Sequence, residues 1–359
     1  MPAHQHQSSG RFVGVGVILL TLAGWTVVPI FIKMFTHDVD AWTSNGWRYG
    51  FAALLWLPLL IHKRRRGTWK PGLMRAAAMP GLINAAAQVC FTASFYKIDP
   101  GLVAFGLRSQ IVAVTIGAVI LYPAERTIIR KPLFIAGLAL LIGGTLTTVG
   151  GSHDFGTNAG AVGIALAVAS GIGYAGYALG VRSCMAGFGA MESFAAISQY
   201  TAGAMVLLML LLAKDMGVHA LDMPTPRFGL FLLSAVIGIA VCHVLYYIAI
   251  ARLGVTISTG VIQLQPFTVS ALSYIAFGEI LTALQWAGGV AAVGGAITML
   301  VVQHVVQSRL KPGPHSEAQE FADLPPDQVA AATVAEGFRG RESRIHAADE
   351  RSPEAESAG

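Results

Sequence analysis

The stretch Phe91–Ile111, FTASFYKIDPGLVAFGLRSQI, returns in altered form 155 residues later as Tyr246–Pro266, YYIAIARLGVTISTGVIQLQP. Each opens on aromatic residues, reaches a cation at Lys97 or Arg252, and then enters an apolar run. Each run carries a polar knot, Leu-Arg-Ser-Gln in one and Ile-Gln-Leu-Gln in the other. Both stretches lead on to a glutamate, Glu125 in the first and Glu279 in the second. Beyond the glutamates the glycine spacing repeats as well: Gly137, Gly143 and Gly144 match Gly288, Gly294 and Gly295. Self-similarity at a long offset marks a duplicated unit, so the chain is read as two related halves.

Composition says what surrounds those halves. Of the 359 residues, 54% are hydrophobic and 12% charged, against about 25% charged in soluble domains. Ten of the nineteen acidic residues lie beyond Pro312, so the first 311 residues have too few carboxylates to cover a water-facing surface. Their solvent is mostly lipid. Ten apolar runs are long enough to span a bilayer: 12–33, 42–62, 73–95, 100–121, 131–149, 159–181, 193–213, 228–250, 256–277 and 282–303. The narrowest gap, Lys97-Ile98-Asp99-Pro100, reads as a tight turn because of its charges and proline.

Lysine and arginine placement sets the orientation. Lys63, Arg64, Arg65, Arg66, Lys70, Arg126, Arg130, Lys131, Arg182, Arg252, Arg309 and Lys311 fall on one side. The other side has Lys33, Lys97, Lys214 and Arg227 near span ends. Both termini are therefore expected in the cytoplasm. The expected fold is all-α integral membrane, with repeat 1 over 12–149, a loop at 150–158 and repeat 2 over 159–303. Residues 1–11 form a short polar N-terminus, and 304–359 a cytoplasmic tail whose acidic, Pro- and Ser-rich part reads as disordered. Five spans per half is an odd number, so the halves enter the membrane from opposite sides. Inverted repeats of this kind are common in secondary transporters, with the site near the midplane between them.

Several classes are excluded. The net charge of +5 resides in short loops, which does not suggest a nucleic-acid partner. No Gly-Lys pair exists, so there is no phosphate-binding Walker loop. Cys90, Cys184 and Cys242 have neither metal nor redox spacing. No pair of acids, and no nucleophile with a base, lies at membrane depth, so the chain is not read as an enzyme. No cofactor or metal is expected. The competing reading is a non-transporting scaffold or receptor that works through its cytoplasmic tail.

The sequence resembles the drug/metabolite transporter superfamily, in its ten-span branch of two EamA domains. The resemblance is carried by Trp25 to Lys33, Trp47-Arg48-Tyr49, Ala104 to Glu125 with the glycine-rich fifth span, Gly173 to Arg182, and Gly254 to Glu279 with the tenth span. It covers about residues 12–303. It implies an inner-membrane setting and export or exchange of amino acids or other small metabolites. It names no single substrate. Proline is frequent in the family's fourth span, as Pro266 is in the ninth; here Ile111 stands at the matching place, so a weaker kink is expected in the first half.

Polar residues at depth are the candidate pathway. Arg108 lies about 12 Å into its span at 1.5 Å per residue, and a buried ion there is costly. Two roles are open to it: an anchor for a substrate carboxylate or phosphate, gripped by the guanidinium fork, or a structural arginine bonded to backbone carbonyls and amides. Gln263 is its repeat mate; Gln110 and Gln265 form the next pair. Residues two apart on a helix diverge by about 200°. Arg108 and Gln263 are accordingly assigned to the cavity, and Gln110 and Gln265 to it or to helix–helix contacts. Asn84 and Gln88 share a face, as do His243 and Tyr247. His243 is a candidate carrier of a coupling proton or a helix–helix contact. Trp25 pairs with Tyr174, and Tyr177 shares the latter's face, giving an aromatic lining or plain packing. Arg48 is read as snorkelling to the outer interface, either mainly structural or bordering the pathway. Glu125 and Glu279 are read as helix-start caps or gate contacts. A monomer suffices, because one chain holds both halves; the oligomeric state stays open.

Overall fold

The computed structural model describes residues 3–121, 126–151, 157–253 and 255–310. Every regular element among them is helical. Ten spans follow in order: α1 (Ala3–Met34), α2 (Ala41–Arg65), α3 (Leu73–Ser94), α4 in two pieces (Pro100–Gly106 and Ser109–Leu121), α5 (Pro132–Gly150), α6 (Asn158–Cys184), α7 (Ala190–Leu212), α8 (Thr225–Leu253, itself composite), α9 in two pieces (Val255–Ile262 and Gln265–Phe277) and α10 (Ala283–Leu310). Among the described residues, nine stretches are long and apolar enough to cross a membrane. The tenth, α2, has the length at 25 residues but not the composition. It buries Thr43, Ser44, Asn45 and Arg48 in its N-terminal half and ends in four basic residues, His62 to Arg65.

Local signals account for the helix ends. Asp40 caps α2, its carboxylate accepting from the Trp42 and Thr43 N–H groups at 2.9 Å each. Those hydrogen bonds hold its carboxyl below the ordinary range, although burial alone would raise it. Pro100 and Pro132 sit in the first turns of α4 and α5, where a missing N–H costs nothing. Helix α10 starts with a capping box: the Thr282 N–H donates to Gln285 Oε1 at 2.8 Å, and the Gln285 N–H returns to Thr282 Oγ1 at 3.2 Å.

The two repeats meet most closely at α5 and α10. A Cβ on Gly137 would lie 2.9 Å from the Gly295 carbonyl oxygen, and one on Gly288 would lie 2.6 Å from that of Gly144. Gly137 and Gly288 are repeat mates, as are Gly144 and Gly295, so each glycine meets the counterpart of its own neighbour. The seam is self-complementary about an axis in the membrane plane. Small residues let backbones approach where lipid offers no hydrophobic drive between helices.

Helices α4 and α9 are both interrupted at the same repeat position, around Leu107–Arg108 and Gln263–Leu264. The Ile111-for-proline difference had suggested a weaker kink in the first half, and the structure corrects this. In α9, Pro266 removes an N–H. Both breaks are tightened turns, and α4 tightens without a proline: the N–H groups of Arg108, Gln110 and Ile111 donate three residues back, to Phe105, Leu107 and Arg108, at 3.0 Å each. Gly171 of α6 presses on that point, where a Cβ would lie 2.9 Å from the Leu107 carbonyl oxygen and against Ser109 Oγ. Ser109 Oγ in turn donates to the Val168 carbonyl of α6 at 3.0 Å. Packing breaks one helix and proline the other.

Candidate functional site

The two breaks face each other, and Arg108 joins them. Its Nη1 donates to Gln263 Oε1 and its Nη2 to Gln265 Oε1, both at 2.8 Å. Its Nε lies 3.4 Å from the Ala104 carbonyl oxygen, which the tightened turn leaves without an α-helical donor. The partners are thus two amides and a carbonyl, with no carboxylate. Arg108 and Gln263 are 6% and 4% exposed. The expected divergence of Gln263 and Gln265 fails, because the helix is interrupted between them and both amides turn to one guanidinium. Gln265 is also tied to α1, its Nε2 donating to the Trp25 carbonyl at 2.9 Å. Next to it, the hydroxyls of Thr26 and Thr268 share a 2.6 Å hydrogen bond between α1 and α9. Gln110 makes no side-chain bond to this group.

The other candidate residues fall into distinct settings. Asn84 donates to Thr201 Oγ1 at 3.1 Å, which ties α3 to α7. The Gln88 carbonyl receives Asn45 Nδ2 at 3.4 Å. His243 stacks on Phe194 with ring centroids 4.9 Å apart and meets Trp25 edge-on at 5.5 Å. Its Nδ1 is enclosed and has no hydrogen-bond partner among the described residues. Trp25 also packs on Tyr246 at 5.2 Å. Tyr174 lies 6.0 Å from Phe91, whereas Tyr177 packs lower, against the Leu60, Leu73 and Met185 cluster. Tyr247's side chain and Glu125 lie outside the described residues.

Two residues differ from their expected settings. Arg48 does not snorkel. It is 3% exposed and turned into the bundle, where its Nε donates to Ser234 Oγ of α8 at 3.0 Å. Glu279 does not cap the helix that follows it, since the Thr282–Gln285 box does that. Its carboxylate instead accepts from the Gly101 N–H at 3.1 Å, at the start of α4 in the other repeat. Burial pushes the Glu279 carboxyl up from its ordinary range; Ser273 and the Gly101 N–H act against this, and Asp99 adds to it. Beside it, Lys33 Nζ lies 3.2 Å from Asp99 Oδ1 and donates to the Ile98 carbonyl at 3.2 Å.

Sequence reasoning missed Ser234, Thr268 and the π-helical segment Val236–Val241 in the middle of α8. The capping box was legible as Thr-x-x-Gln. The π segment has no comparable sequence signature; such segments recur at functional sites.

Two inverted five-helix repeats around a polar crossing define a multi-pass membrane protein with a small-molecule substrate. The EamA-like transporter family model matches residues 12–150 and 161–301, one match per repeat. The chain belongs to that family, within the drug/metabolite transporter superfamily, and carries two EamA domains. A solved crystal structure, described only as that of a protein, is similar in fold at a TM-score of 0.51 and 16% identity, over 85% of this chain and 99% of the other. No curated protein matches.

Proposed function

We propose that this chain is a secondary transporter that moves a small polar metabolite, such as an amino acid, by alternating access of its two repeats. The observation behind this is the pair of matched helix breaks clasped across the repeats by Arg108. Discontinuous helices at a repeat interface free backbone groups at midplane depth, where a lipid-facing helix could not leave them. In this reading the glycine seam of α5 and α10 is the fixed axis, and α4 and α9 move about it. Arg108, Gln263 and Gln265 form the clasp between the moving helices. Glu279 on Gly101 closes the outer end, and Glu125 has the matching inner role. The protein lies in the inner membrane with both termini cytoplasmic and works as an exporter or exchanger. His243 is the group available to carry a coupling proton.

The test is flux into proteoliposomes and inside-out vesicles, with amino acids and related anions, with and without an imposed pH gradient. At least one small polar solute should move in a saturable way. If none moves under either condition, the transporter reading fails.

A further inference from the structure

At the helix breaks all three guanidinium nitrogens of Arg108 are hydrogen-bonded, whereas a second arginine at similar depth is bonded through one. Arg48 lies seven residues into α2, about 10 Å below its outer end. A guanidinium carries five N–H donors. Nε is taken by Ser234 Oγ, whose own hydroxyl donates to the Phe231 carbonyl at 2.6 Å. The two Nη groups make no hydrogen bond among the described residues. The residue as a whole is 3% exposed, so this unbonded edge lies inside the bundle.

Among the described residues no carboxylate neutralises Arg48. Four acids on the same side of the membrane are engaged elsewhere, and neither Asp215 nor Asp222 pairs with Arg48 among the described residues. Asp38 is held by Arg227 at 2.7 Å, Asp40 by its helix cap, Asp99 by Lys33, and Glu279 by Gly101. Glu192, across the membrane, is paired with Lys63 at 2.7 Å. The groups in electrostatic range of Arg48 are the tyrosines Tyr49, Tyr174 and Tyr96. Removing a charge from water without a counter-charge is costly. The free edge that remains, Nη1 beside Nη2, is the end-on fork that matches two carboxylate oxygens.

We infer that Arg48 is the anchor for a carboxylate of the transported molecule, bound end-on through its two Nη groups. Tyr174 of the second repeat flanks the site, and Ser234 holds the guanidinium in register. The substrate class is a small organic acid or an amino acid, with its carboxylate toward α2. Arg108 then acts as clasp rather than anchor. The inference rests on the transporter reading for its purpose, but it is tested by binding alone.

The experiment uses the full chain, purified in detergent. Thermal unfolding is followed with acetate, butyrate and benzoate, against chloride at matched ionic strength and against benzamide as the neutral isostere. At least one carboxylate should give a saturable stabilisation that benzamide does not give. Arg48→Gln should weaken it by about tenfold or more, as expected for loss of a charge-assisted pair. Tyr174→Phe should weaken it less, and Gly143→Val, remote from the site and with open space for its side chain, should leave the affinity within about twofold. If Arg48→Gln does not fold, Arg48→Lys decides: it keeps the charge and loses the fork, so weaker binding supports the assignment. The inference is overturned if no carboxylate stabilises the wild type beyond chloride, or if the folded Arg48 variant binds as the wild type does. Binding without flux would leave it standing and remove the transporter reading; flux without carboxylate binding would do the reverse.

Discussion

The same pseudo-two-fold axis relates two crossings that are built on opposite principles. At α5 and α10, glycine meets glycine backbone to backbone, and the two repeats contribute equally. At α4 and α9, one repeat offers a guanidinium and the other two amides. At its glycines the first crossing has no side chain to rearrange. The second is held by two hydrogen bonds whose partners sit on interrupted helices. Symmetry is kept where backbones pack on each other and given up where side chains join the two repeats. A cavity lined identically by both repeats would bind a substrate equally well in two opposed poses.

The sharpest way to break the comparison is to fill the seam. Gly144→Val or Gly288→Val drives a side chain into the facing backbone and should destabilise by at least about 3 kcal/mol. Loss of monodisperse protein in detergent is the readout. Gly143, one residue away, has nothing within 4 Å of where a Cβ would stand, so Gly143→Val should change stability by no more than about 0.5 kcal/mol. If both neighbours behave alike, the seam is not what fixes the repeats.

Next in size is the clasp. Arg108→Gln removes two charge-assisted hydrogen bonds, each worth about 1.5–3 kcal/mol. Thermal unfolding should fall well below wild type, and flux should be lost even where folded protein is recovered. Unchanged flux would show that α4 and α9 need no clasp. Gln265→Ala should cost more than Gln263→Ala, by about 1 kcal/mol, because only Gln265 also holds the Trp25 carbonyl. The reverse order would mean that the tie to α1 is idle.

The smallest effect is expected at the outer contact and depends on pH. The Glu279 carboxyl is raised in the folded state, so the folded chain holds its proton more tightly than the unfolded one. The contact is favoured at low pH, and that advantage is lost as pH rises through the raised value. Glu279→Gln keeps an acceptor for the Gly101 N–H without burying a charge. The variant should match wild type below the ordinary carboxylate range and exceed it at neutral pH, as measured by unfolding across that window. Equal profiles would place no titrating charge in the contact.

Much of the scaffold was legible from pattern. The apolar runs gave the spans, the offset repeat gave the halves, and the paired glycines marked the helices of the seam. What escaped the sequence was decided by neighbours in space. The break in α4 carries no proline, because it is imposed by Gly171 of another helix. The convergence of Gln263 and Gln265 contradicts helical geometry and becomes possible only once the helix is interrupted. Arg48 looked like an interfacial residue by depth alone, and only Ser234, 186 positions away, turns it inward. Glu279 stood next to a helix start in sequence and serves a different one.

The seam has a consequence for assembly. Gly137 and Gly144 meet the mates of each other, so the surface that joins the repeats is isologous. Nothing in that surface requires the halves to be one polypeptide. Cut in the 150–158 linker and co-expressed, the two five-helix fragments should reassociate through it. The covalent link would then serve chiefly to guarantee that an arginine-bearing half always finds a glutamine-bearing one, and never a copy of itself.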